Sequence, residues 1–433
     1  MRVPQSRHLT LVSLLLCVAS SAGAQHAGHQ MPPASDTSVA SRTHVMVQAI
    51  PLVTRADPSA GGAPLTQAVV AQPVAMIRGS FANGHGDLAA ALDGEGLTMK
   101  NGELNTGGYG EGFVDRRHPH TYLHEVMLTA RAVSGQLAWS TTAGRGFVPF
   151  GTDDPMMRPV VKFPINHHLA QILERATLIG AVRAGPIVVE GSTFGGDEPT
   201  EPSSLPRMSR FGDSWSARAT LLPVDGVEIQ ASHARVASPE EVGGTGLDQR
   251  KQSISARSIS HTGDRYLLVE WARTVERDAV RRSDVFAYES ALAEAAIQLG
   301  PFGVAMRLEQ SERPEEERLA EPFRSPRPSS DLSINGLTRW RTATLHLAAP
   351  AVKSLGVVAI PFVEGTLLSA IPSLPQSLFT PQRFYGTSRL SMLTAGFRIR
   401  AGDAHARMGR YGVADVGGPA ISTMSAGSSP HQH

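Results

Sequence analysis

Residues 113–183 read FVDRRHPHTYLHEVMLTARAVSGQLAWSTTAGRGFVPFGTDDPMMRPVVKFPINHHLAQILERATLIGAVR. Two segments with strand character, Tyr122 to Val133 and Gln136 to Thr142, meet at Ser134-Gly135. A Pro/Gly/Asp-rich passage then runs on until an apolar stretch begins near Leu169. A tight turn is thus answered by a long excursion, and the same asymmetry recurs along the chain.

Short turns fall at Ser134-Gly135, Ala184-Gly185, Asp225-Gly226, Gly263-Asp264, Gly300-Pro301, Ala349-Pro350 and Gly402-Asp403. Between them lie longer polar connections at 144–167, 197–212, 238–250, 277–283, 313–331 and 365–387. The segments they bound alternate apolar and polar residues. From Ser214 to Leu221, Trp215, Ala217, Ala219 and Leu221 share one face and Ser214, Ser216, Arg218 and Thr220 the other. Past Asp225-Gly226 the pattern repeats, with Val227, Ile229 and Ala231 set against Glu228, Gln230 and Ser232.

Sorting of short and long connections onto alternate ends is what a barrel inserted from one side requires, and a sandwich has no reason to do it. The sequence therefore predicts an all-β chain, an antiparallel transmembrane β-barrel of about 14–16 strands. A strand from Val74 to Phe81 and one at the C-terminal end are needed to return both termini to the short-turn rim. Trp139, Trp215, Trp271 and Trp340 are expected to face lipid or an interfacial girdle. Glu289 shares a face with Val285, Ala287 and Ala291, and so calls for a bulge or a position outside the hydrocarbon.

Outside this region the chain opens with Arg2 and Arg7, an apolar run from Leu9 to Val18 and Ala22-Gly23-Ala24, the pattern of a signal peptide over 1–24. Cys17, the single cysteine, lies in that segment, so the exported chain is expected to carry no disulfide. Residues 25–72 show no sustained period and read as a flexible arm holding His26, His29 and Met31; 73–416 read as the barrel domain and 417–433 as a flexible tail. With 40 basic against 39 acidic residues, nothing points to nucleic acid. No second apolar run is long enough for a membrane helix, so a membrane protein of this sequence must cross by closed sheet.

Chemistry concentrates around the opening stretch. His118, His120 and His124 share parity on an extended chain, a parity that leads on to Val126, Leu128 and Ala130 and so toward lipid unless a bulge turns them inward. Pro119 keeps this piece at a rim or edge. His167 and His168 end the long connection and reach the same rim. With Glu125 or Asp115 these imidazoles make a candidate site for copper or zinc, while the bland alternative is a set of interfacial residues hydrogen-bonded to loop backbone. The loop from Gly144 to Pro164 carries Phe147, Phe150, Met156 and Met157, too apolar for a solvated tip. It is expected to fold into the lumen and narrow it, with Arg145, Asp153, Asp154 and Arg158 as pore-loop charges. The sequence contains no G-x-S-x-G, P-loop or H-E-x-x-H motif, and no enzyme is predicted.

The segments FVDRRHPH (113–120), GFVPFGTDDPM (146–156), NHHL (166–169) and GSTFGGDEP (191–199) resemble a group of uncharacterised bacterial secreted or outer-membrane proteins with a Gln-His-Pro-His-Asp-like segment. Arg117 and Thr121 depart from that pattern where Gln and Asp are expected. The resemblance implies an outer-membrane barrel associated with copper or another metal. Together these readings predict a porin-like barrel in the bacterial outer membrane, in contact with its lipid, passing or handling small polar solutes or metal ions. The alternative is a soluble periplasmic β-protein that binds copper or zinc through the histidines. The number of chains is left open.

Overall fold

The computed structural model describes residues 43–59, 62–98, 120–165, 167–199, 201–241, 243–316, 334–402, 407–416 and 421. The segment 1–24, read as a signal peptide, and His26, His29, Met31, Asp115, His118 and Pro119 lie outside them.

Strands follow one another as up-and-down neighbours: β1 (Thr43–Asp57), β2 (Leu65–Phe81), β3 (Gly86–Asp93), β4 (Leu123–Ser134), β5 (Leu137–Gly146), β6 (Arg175–Ala184), β7 (Ile187–Phe194), β8 (Ser214–Leu221) and β9 (Val227–Val236). Then come β10 (Asp248–Ile259), β11 (Arg265–Asp278), β12 (Ser283–Leu299), β13 (Phe302–Glu316), β14 (Ile334–Ala348), β15 (Val352–Ser354), β16 (Val357–Pro372) and β17 (Arg389–Gly402). All 17 belong to one sheet, in which the three-residue β15 is a spur on the β14–β16 connection, leaving a wall of 16. Every pairing is antiparallel, and β17 pairs back onto β1 with Met46 opposite Gly402 and Thr54 opposite Thr394. Closure matters because an unpaired backbone group in hydrocarbon costs several kcal/mol, and a closed wall has no edge.

The predicted alternation is realised. Along β8, Trp215, Ala217, Ala219 and Leu221 are exposed on the outside, and Ser214, Ser216, Arg218 and Thr220 are buried inside. Glu228, Glu270 and Arg398 join Arg218 in the buried inner set, with Arg400 half-buried. Val47, Val53, Leu128, Trp139, Leu178, Val189, Ile254, Leu345 and Phe397 form part of the apolar exterior. Glu289 sits outside too, opposite Arg273, on a level where Gln310 meets Arg341 at 2.9 Å and Glu312 meets Arg339 at 2.8 Å. Strands β11 to β13 run 14 to 17 residues, whereas about 9–11 span a bilayer. Their long-connection ends thus project past the hydrocarbon, and Glu289 needs no bulge.

Several expectations are corrected. The stretch 25–72, read as an arm, contains all of β1 and the start of β2. Its alternation was masked because Met46, Ile50, Leu52 and Ala56 point inward and Val45, Val47 and Val53 outward, so both faces are apolar. Of the expected turn Gly402-Asp403, Asp403 lies outside the described residues; β17 ends at Gly402 and pairs with β1, and a further short turn lies at 82–85, between β2 and β3. Arg313, Pro314 and Glu315 continue β13 inside the barrel with Arg313 bonded to Glu315 at 3.1 Å, where the start of a polar connection was expected. Trp340 is fully buried on the inner face, against Ile50, Leu52 and Phe362, and not at the lipid surface. Ile421, within the expected flexible tail, is buried beside Val160, Tyr266 and Leu292.

Candidate functional site

The connection 147–174 between β5 and β6 folds inside the wall and touches it on all sides. Val161 and Ile165 pack against β1, β14, β16 and β17; Phe147, Met156 and Phe163 against β1 to β4 and β6; Val160 against β10 to β13. Polar contacts pin it across the lumen. Val161 N and Lys162 N donate to Glu364 at 2.9 and 3.1 Å, Ile165 N donates to Glu309 at 2.8 Å, and Arg398 donates to the carbonyl oxygen of Pro159 at 3.2 Å.

A second insertion comes from the other end. After β17 reaches the short-turn rim, residues 407–414 turn back into the lumen. Arg407 pairs with Asp153 at 2.6 Å and with Glu228 at 2.5 Å, and Tyr411 lies beside Met127 and Phe147.

The pore-loop charges named from sequence are all inside and all engaged. Asp153 is held by Arg407 and by Arg257 at 3.3 Å, and these guanidiniums push its carboxyl below the usual range against the opposing effect of burial. Asp154 Oδ1 accepts from Met156 N at 2.7 Å and caps a single 3₁₀ turn. Arg158 pairs with Glu270 at 3.2 Å, and Arg145 donates to the carbonyl oxygen of Ser204 at 2.6 Å and to Thr121. Asp153 and Arg158 thereby anchor the loop to the wall and to the C-terminal segment, Asp154 braces the loop internally, and Arg145, on β5, ties the wall to the segments around Thr121 and Ser204. Paired in this way, they present little net charge to a solute.

Where the inserted loop meets β3 and β4, the histidines gather. The β3–β4 register slips between Ala91 and Leu92, which face Glu125 and Leu123, so that His124 is the extra residue of a bulge. The bulge lets His124 and Glu125 both point inward, while Val126 and Leu128 keep to the outer side. His120 lies 5.5 Å from His124 and 5.9 Å from His167, ring centre to ring centre, and His167 lies 4.2 Å from His168. Phe147 and Phe163 close the group, each within contact of an imidazole. Four of the five predicted histidines are therefore brought together, but inside the barrel and not on its rim.

Carboxylates complete the cluster. His124 Nδ1 donates to Glu174 Oε1 at 2.6 Å, and Thr121 N donates to the same oxygen at 2.8 Å. Glu174 holds this position in the left-handed region, φ 61°, a conformation that costs a non-glycine residue on the order of 1 kcal/mol or more and that the hydrogen bonds offset. His120 Nδ1 donates to Glu95 Oε2 at 3.0 Å and lies 3.3 Å from Asp93 Oδ2. Asp93 and Glu95 are themselves fixed: Glu95 N donates to Asp93 Oδ1 at 2.8 Å, and Gln72 N, from a left-handed residue of β2, donates to Glu95 Oε1 at 2.9 Å. Burial, reinforced by the Asp93 charge, pushes the Glu95 carboxyl up to about 7. Burial pulls the His120 imidazole down, but the two carboxylates against it outweigh that and hold it well above 6.5.

Sequence reading found the imidazoles and missed Asp93 and Glu95, since Asp93-Gly94-Glu95 carries an ordinary turn composition. Near the long-connection rim, a cleft of about 210 Å³ lined by Glu174, Asp197, Glu198 and Arg207 lies next to a narrower hollow bounded by His168, Glu174 and Glu198.

No family model matches this chain, and no curated protein matches it. Among solved structures it is similar to the anion-selective porin from Comamonas acidovorans, with a TM-score of 0.51 and 12% identity over 84% of this chain and 100% of that one. It also aligns with OprB of Pseudomonas putida, with a TM-score of 0.49 and 9% identity over 83% of this chain and 94% of that one. At 12% identity the likeness to the Comamonas porin is one of fold, and it agrees with the closed antiparallel wall described above.

Proposed function

We propose that the chain is a porin-like channel of the bacterial outer membrane, passing small polar solutes through a lumen that the loop 147–174 and the segment 407–414 restrict. The observation that carries this reading is the division of the wall: apolar side chains cover its outside, and charged and hydroxylic side chains line its inside. Only a surface that meets hydrocarbon has reason to expose so many large apolar groups on every strand. A soluble periplasmic protein would leave this exterior in water, so the alternative is disfavoured. The named anion selectivity of the similar porin is not carried over, since Arg218, Arg398, Glu228 and Glu270 give the lumen both signs. Fractionation of cells producing the chain tests the reading. Recovery in the outer membrane with heat-modifiable migration is expected, and recovery in the soluble periplasm contradicts it.

A further inference from the structure

We propose that Asp93, Glu95 and His120 form a binding site for a divalent first-row transition-metal ion, for which zinc is the probe. Asp93 Oδ2, Glu95 Oε2 and His120 Nδ1 converge from two pieces of chain: Asp93-Gly94-Glu95, where β3 ends and the short helix Glu95–Thr98 begins, and the residues leading into β4. One ligand atom from each residue lies within 4.8 Å of the others. The nitrogen is 3.0 Å from the Glu95 oxygen and 3.3 Å from the Asp93 oxygen. Ligands about 2.0–2.2 Å from a tetrahedral or octahedral ion lie roughly 3.0–3.5 Å apart along its edges, so these spacings already suit one.

A second observation points to a ligand independently of the cluster's composition. His120 Nδ1 has one proton to give, and it goes to Glu95. Asp93 Oδ2, on a fully buried side chain aimed at the same nitrogen, has only the 3.3 Å ion pair with that imidazole and no hydrogen bond of its own. A buried carboxylate oxygen left in this state is costly, and a cation between the three atoms removes that cost. The other oxygens of both carboxylates are already held by Glu95 N and Gln72 N, which orients the free ones inward as outer-shell contacts do at metal centres. His124 Nε2, buried and without a hydrogen-bond partner, supplies further nitrogen close by. Two oxygens and an imidazole are a borderline set suited to zinc or copper(II) more than to calcium, which takes oxygens alone. On binding, the ion takes the place of the Nδ1 proton, which leaves to solvent. The cleft lined by Glu174, Asp197, Glu198 and Arg207 shares Glu174 with the imidazole cluster through His124.

The site is independent of the channel reading, since binding is measured without conductance. Zinc titration of the detergent-purified full chain is compared with the Asp93→Asn, Glu95→Gln double variant, both checked for heat-modifiable migration. The variant is expected to lose the tightest site, with affinity down by more than about 100-fold, beyond the 10–100-fold of an outer-shell change. Weaker binding by terminal histidines should persist in both. Matching isotherms overturn the proposal. Should the variant not fold, anomalous diffraction at the zinc edge from crystals of the unaltered protein decides: a peak among the three atoms is expected, and its absence overturns the site.

Discussion

The Tyr411 hydroxyl donates to Glu125 Oε2 at 2.7 Å, joining a residue beyond the last strand to the fourth strand of the wall. The Tyr411 hydroxyl oxygen in turn accepts from Phe147 N at 3.0 Å, so one phenol holds the C-terminal segment, the inserted loop and β4 together. Burial and the Glu125 charge keep the phenol protonated, its pKa raised well above 10.0. Tyr411→Phe leaves a buried carboxylate oxygen and a buried amide without partners. It should lower stability by about 1–3 kcal/mol, read as an earlier urea midpoint in detergent.

Glu364 pins the inserted loop through the Val161 and Lys162 amides. Glu364→Ala removes both acceptors at once and releases the middle of the loop from β16. Protease should then cut between residues 158 and 166 faster than in the unaltered chain, while the wall keeps its heat-modifiable migration. Unchanged cleavage would mean that the apolar contacts alone hold the loop.

Lys162 provides a dependence on pH with a definite sign. Burial lowers its amine from 10.5 to about 7, against the opposing pull of Glu309 and Glu364. Between about 7 and 10.5 the unfolded chain binds a proton there that the folded chain does not, so stability falls as pH drops through this window and levels off below it. The urea midpoint of the unaltered chain should therefore decline from pH 10 to pH 7. Lys162→Met should flatten that part of the profile.

Trp340 and Trp139 make a matched pair. The first is fully buried against Ile50, Leu52 and Phe362, and the second is 47% exposed on the outer face. Trp340→Ala should cost about 3–5 kcal/mol in unfolding free energy through the cavity it leaves, well above the cost of Trp139→Ala.

What was legible in the sequence follows from where contrast between faces exists. Strands β8 and β9 meet hydrocarbon on one side and charged lumen on the other, so Arg218 and Glu228 stand out against Trp215 and Ile229. Strand β1 meets lipid outside and the apolar part of the inserted loop inside; with Ile50 and Leu52 facing one way and Val47 and Val53 the other, no period of two survives. The histidines were visible as residue types, but the inward direction of His124 depends on a one-residue slip against β3 that no local pattern announces, and His167 and His168 reach it only through the folding of the inserted loop. Asp93-Gly94-Glu95 has ordinary turn composition, and Arg407 to Tyr411, within the stretch read as barrel domain, carry no local sign of insertion, because only the closed wall brings their partners within reach.

The account rests on a lipid-facing wall whose lumen is restricted by the loop, and planar-bilayer conductance tests both halves together. The purified chain should insert and give small single-channel steps, and a variant lacking residues 148–164 should give clearly larger ones in the same bilayer. Failure of the intact and shortened chains to conduct at all, or steps of equal size from both, would contradict it.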